Sequence, residues 1–234
     1  MELQLKKRPV NPTIITGFPS IGLVGTIVTK YLIDHLDIEI IGSLQSDQLA
    51  PLIAIHKGKV VDPITVYYNK KYNIVIMQAL MDVAGSEIQI SKSVVDLVKQ
   101  LNAKEVIVIE GMPTQDNKVD IYYYSSKAKV ISKVQPLKEG VIMGVTAAML
   151  LKSDQIPLTT LFVQAHQNLP DSEAGAKVIG VLNDYLGLDL DVKPLIESAK
   201  KFESNLKSVL KKSVEQQPQS LKAANQDRDL SYLG

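Results

Sequence analysis

Apolar residues recur along this chain in two rhythms: short unbroken runs, and longer stretches in which they return every three or four positions. "TIITGF" (Thr13 to Phe18) is an unbroken run and predicts a buried strand. Ile21, Val24, Val28, Leu32 and Leu36 then share one helical stripe, which predicts a helix over 21–36. A strand is expected over 38–44. Between Pro51 and Leu80 the pattern gives strands joined by tight turns at Lys57-Gly58 and Asn69-Lys70. Residues 87–101 read as a helix with Ile88, Val94, Val95, Val98 and Leu101 inward, and "EVIVIEG" (105–111) as a buried strand. A further strand follows over 119–126. Residues 139–153 read as a helix whose Gly140, Gly144, Ala147 and Ala148 permit close packing. Then come a strand over 158–166, a helix over 172–186 with Ser172 as its N-cap, and a longer helix over 192–212. Strands alternating with helices predict a three-layer α/β/α fold with a largely parallel mixed sheet. Residues 1–212 are expected to form one domain that includes the C-terminal helix. Residues 213–234, Gln-rich and without an apolar period, read as a flexible tail.

Composition sharpens this picture. The 234-residue chain has no Trp and three Phe, so its core must be built from Ile, Leu and Val. That suits parallel strands covered on both faces. A net charge of +1 gives no electrostatic case for a nucleic-acid or membrane partner. The absence of cysteine excludes disulfides, thiolate metal sites and a cysteine nucleophile. "MELQLKKRPV" lacks the apolar core of a signal peptide, and no apolar run is long enough to span a bilayer, so a cytoplasmic location is expected.

Candidate chemistry begins at "ITGFPSIGLVG" (Ile15 to Gly25), which has the strand, glycine turn and helix layout of a phosphate loop. Gly17 and Gly22 have Walker A spacing, but Leu23 and Val24 stand where its lysine and hydroxyl belong. The Gly-x-Gly start of a dinucleotide site is missing too. Gly17, Ser20, Gly22 and Gly25 therefore mark either a bare anion site at a helix N-terminus or, the favoured reading, a close approach of helix to neighbours. His35, His56 and His166 form no metal-binding pair, so no metal or other cofactor is expected. Asp82, Glu110 and His166 follow or end strands, and with Asp171 they could line a polar crevice at the strand ends. The tyrosines of "YYNKKY" and "IYYYSS" read as edge strands or an association surface.

At the C-terminal end, Leu195, Ala199, Phe202, Leu206 and Val209 are spaced four, three, four, three. Such a seam packs a helix either on its own domain or on a partner subunit. The chain closes on "DLSYLG", where Leu230, Tyr232 and Leu233 make an apolar, aromatic ending suited to docking in a pocket.

Three segments resemble one family. "GFPSIGLVG", "GVIMGVTAAMLL" and "LPDSEAGAKVIGVLNDYLGLDLDVKPLIESAKKFE" are similar, in order and spacing, to motifs of the archaeal branch of the proteasome-assembly chaperone family, once labelled ATP-grasp. The resemblance spans roughly residues 10–210. It implies a fold like that of purine nucleoside phosphorylases, no enzymatic activity, self-association into a homo-oligomer, and for some members docking on proteasome α subunits. Members that dock end in a hydrophobic residue, Tyr and any residue. Here Ser231 precedes Tyr232, and Leu233 and Gly234 follow it. The extra residue displaces the terminal carboxylate by about 3.5 Å. The expected function is thus a non-enzymatic, oligomeric assembly chaperone or scaffold for the proteasome or a related complex. The alternative is a phosphorylase- or hydrolase-like enzyme, or a small-molecule sensor, using the strand-end crevice.

Overall fold

The computed structural model describes residues 1–46, 52–56, 58–114, 118–167 and 169–197, with the backbone alone for His56 and Lys59. Along the chain the elements are β1 (Glu2–Leu5), β2 (Thr13–Gly17), α1 (Val24–His35), β3 (Glu39–Gln45), β4 (Ala54–His56), β5 (Lys59–Val61), β6 (Ile64–Asn69), β7 (Ile74–Ala79), α2 (Glu87–Leu101), β8 (Glu105–Pro113), β9 (Ile121–Ser125), β10 (Gln135–Pro136), α3 (Gly144–Leu150), β11 (Leu158–Ala165) and α4 (Ser172–Leu186). A 3-10 turn, Ile21–Leu23, leads into α1, and the backbone is helical again over 193–197.

The unbroken apolar runs become the centre of one mixed sheet, ordered β1-β3-β6-β7-β2-β8-β11-β9-β10. The four central strands, β7, β2, β8 and β11, are mutually parallel. Buried on both faces, they need apolar residues at every position, which is why their sequences do not alternate. Antiparallel neighbours flank this centre: β6, β3 and β1 on one side, and β9 on the other. On one face Ile15, Ile107, Ile109, Leu161 and Val163 pack under α1 and α4. On the other, Ile14, Met77, Val106 and Val108 pack under α2 and α3. The result is a three-layer α/β/α fold. Because the central strands are parallel, their C-terminal ends share one edge of the sheet, the edge that carries ligands in open α/β folds.

Three local expectations are corrected. The small-residue helix spans Gly144–Leu150 rather than 139–153. Gly144 adopts φ 69° at its start, and a Cβ there would meet nothing within 4 Å, so this glycine serves the turn and not close packing. The N-cap of α4 is Asp171, whose carboxylate accepts from the Ala174 N–H, and Ser172 lies inside the helix. Ile88 faces outward in the first turn of α2, and Ile90 takes the inward place. Strand β1, too polar to stand out in the apolar pattern, pairs at the sheet edge through its backbone.

Candidate functional site

The glycine turn sits at the C-terminal edge of β2, wedged between β8 and the loop that enters α4. A Cβ on Gly17 would lie 2.1 Å from the Gly25 carbonyl oxygen, and one on Gly111 would lie 1.9 Å from that of Ile21. Side chains at these positions would hold the helix off the sheet. Gly22 (φ 66°) and Leu23 (φ 50°) are both left-handed, which reverses the chain so that α1 can begin at Val24. Ser20 gives α1 no cap; its Oγ accepts from the Gly111 N–H at 3.2 Å. The Gly22 carbonyl accepts from the Asp171 N–H at 2.9 Å. The four residues therefore bind the helix start to β8 and to α4. Asp171 also brings a carboxylate to the turn, which opposes an anion there.

Glu110 lies near the end of β8, on the α2/α3 face. Its carboxylate accepts a hydrogen bond from the Thr146 hydroxyl of α3. Among the described residues it has no cationic partner. Burial pushes its pKa up to about 7, while the Thr146 bond pulls the other way. The group lines a pocket of about 340 Å³ walled by Phe18, Met112, Ile142, Met143 and Val145. Val141 and Met143 at this pocket are 93% and 78% exposed.

His166 and Asp171 meet on the opposite side of the sheet, where α4 begins. His166 Nδ1 is 2.7 Å from Asp171 Oδ2, which also accepts from the His166 backbone N–H at 3.1 Å. Asp171 Oδ1 takes the Ala174 N–H at 2.9 Å. With three donors, this buried carboxylate fixes the loop and caps the helix. Asp82 is exposed after β7, and its carboxylate accepts from the Ala84 N–H. The four crevice residues thus share the strand-end edge but occupy three separate settings. Among the described residues no group of three or more His, Asp and Glu could hold a metal ion.

Two features escaped the sequence reading. Glu105, the first residue of β8, is buried and holds Lys129 Nζ (2.8 Å), Thr159 Oγ1 (2.6 Å) and Tyr185 OH (3.0 Å). Burial first, then the Glu105 charge, pushes the Tyr185 pKa up. The signal was a carboxylate at each end of "EVIVIE", five positions apart, which places the two on opposite faces. The second is the exposed apolar face of the β4–β5 hairpin, a hairpin the pattern itself predicted. Ala54 and Val61 turn toward the core, while their neighbours Ile55 and Val60, paired across the strands, are 75% and 64% exposed beside exposed Ile53. Of the C-terminal seam, Leu195 is buried in the α1/α4 core. Ala199, Phe202, Leu206, Val209, Leu230, Tyr232 and Leu233 lie outside the described residues. No helix among the described residues is long and apolar enough to cross a membrane.

Comparison with known proteins places this geometry in context. The model of the PAC2 family matches residues 14–210. The crystal structure of Pyrococcus furiosus PbaA, an archaeal homolog of proteasome-assembly chaperone, superposes with a TM-score of 0.82 at 26% identity, covering 99% of this chain and 99% of that one. Pyrococcus furiosus PbaB, an archaeal proteasome activator, superposes with a TM-score of 0.74 at 21% identity over 89% of this chain and 98% of its own, a likeness of fold. An uncharacterized protein of Methanocaldococcus jannaschii is 26% identical over 220 residues, 91% of each chain.

Proposed function

We propose that this chain, which belongs to the PAC2 family, is a non-enzymatic assembly factor that works by binding other proteins. Its partners would be further copies of itself and proteasome α subunits or a related complex, in the cytoplasm. The observation that carries this reading is the end-to-end likeness to PbaA, an archaeal homolog of proteasome-assembly chaperone. The exposed Ile53, Ile55 and Val60 on the hairpin support it, because clustered apolar side chains on a surface favour association. The enzymatic alternative would need Asp82, Glu110, His166 and Asp171 around one ligand. Glu110 and the His166–Asp171 pair lie on opposite faces of the sheet, so that reading gains no support.

The tail belongs to the same proposal. Leu230, Tyr232 and Leu233 would enter a pocket on the α ring. A pull-down on proteasome α subunits, comparing the full chain with one lacking Ser231 to Gly234, tests it. Capture of the full chain alone is expected. Equal capture of both removes the tail from the mechanism, and capture of neither overturns the proteasome as partner.

A further inference from the structure

The pocket beside Glu110 has a chemistry that the assembly role does not use. Its walls are mostly apolar: Ser20, whose hydroxyl accepts from the Gly111 N–H, and the Glu110 carboxylate bring the side-chain polar groups. Among the described residues that carboxylate has one hydrogen-bond donor, Thr146, and no ion-pair partner. A partly buried carboxylate without a cation is costly, so it either keeps a proton or takes up a cation. One register row further in, Thr16 and Thr160 flank Val108 on the neighbouring strands. Their hydroxyls are buried and, among the described residues, unpaired. Polar capacity on this face therefore exceeds what the protein itself satisfies.

We propose that this pocket binds a primary ammonium on a short apolar stem, with the Glu110 carboxylate as its counter-ion and Phe18, Ile142, Met143 and Val145 around the stem. An anion would meet the carboxylate's own charge. A calcium ion needs six to eight oxygen ligands, and the pocket wall offers one carboxylate. A neutral apolar molecule would leave the carboxylate buried without compensation. At about 340 Å³ the pocket is near the small end of ligand sites, roughly 300–1,000 Å³, which suits a stem of up to about six carbons. The ammonium could be that of a free amine or of a lysine side chain on a partner protein.

Binding is coupled to protonation. With its pKa at about 7, Glu110 holds a proton in the empty pocket below neutrality and must release it to pair with a cation. The turn over 18–23, residues 141–145 and α3 bring no ionisable side chain to it, and Phe162 stands opposite on β11. Helix α2, packed beside α3, carries Glu87, Lys92, Asp96 and Lys99, none of which forms an ion pair with Glu110. An alkylammonium keeps its charge throughout this range.

The test is a titration of the full chain, followed by the NMR methyl signals of Met112 and Met143, with hexylammonium, acetyl-lysine methylamide and hexanol at pH 6, 7 and 8. At least one amine should bind, with an affinity that rises about tenfold from pH 6 to 8 as the ionised fraction grows. Hexanol should be markedly weaker, and Glu110→Gln should abolish the pH dependence and most of the affinity. Stronger binding of hexylammonium points to a small-molecule amine, and stronger binding of the lysine analogue to a partner's side chain. Binding of neither amine, equal binding of hexanol, or an affinity of the unaltered protein that does not change with pH overturns the proposal. The last of these needs no variant to fold.

Discussion

Single atoms decide whether α1 can lie against the sheet. Gly17→Ala would drive its Cβ into backbone, 2.1 Å from the Gly25 oxygen, and neither side can yield without moving a helix. Overpacking of this kind costs about 1–3 kcal/mol or more. Thermal melts should show a large loss of stability, or no folded protein. Gly180→Ala is the contrasting case, because nothing lies within 4 Å of its Cβ position inside α4. Helix propensity then favours alanine by about 1 kcal/mol, and the melting temperature should rise. Asp171→Ala removes three hydrogen bonds and a helix cap, which should cost about 2 kcal/mol in a urea titration. Glu110 acts through pH. Its folded pKa of about 7 exceeds the ordinary 4.5, so the native state holds the proton more tightly than the unfolded chain. Its contribution is complete below pH 4.5 and is lost as pH rises to about 7, by up to about 3 kcal/mol. The unfolding free energy measured from pH 5 to 8 should fall less steeply for Glu110→Gln than for the unaltered protein.

Between elements, the Glu105 cluster ties the start of β8 to β11 through Thr159, to α4 through Tyr185 and to the preceding loop of β10 through Lys129. Tyr185→Phe removes one donor from a buried carboxylate and should cost about 1–2 kcal/mol, measurable in the same urea titration. The order and type of the central elements were legible in the sequence, because a strand covered on both faces leaves an unbroken apolar run and a half-covered helix leaves a stripe. The helix of residues 87–101 has the predicted bounds for that reason. The start of α3 was not legible, since glycine at 140 and 144 signals close packing and a turn equally well, and only φ separates them. The glycine turn was recognisable as a packing device from the missing lysine. That Glu110 lies on the α2/α3 face, and His166 with Asp171 at the start of α4, depends on which helix covers each face of the sheet, a tertiary fact.

At the scale of the whole molecule, polar chemistry is dispersed along the strand-end edge, and exposed apolar side chains stand both on the β4–β5 hairpin and beside the Glu110 pocket. Exposed apolar side chains of this kind favour association. Ile55→Lys changes an exposed side chain and should leave the melting temperature nearly unchanged while weakening association. Size exclusion coupled to light scattering tests the central claim most directly, run on the chain alone and mixed with proteasome α subunits. A homo-oligomer that co-elutes with the α subunits is predicted. A monomer that elutes apart from them would contradict the account.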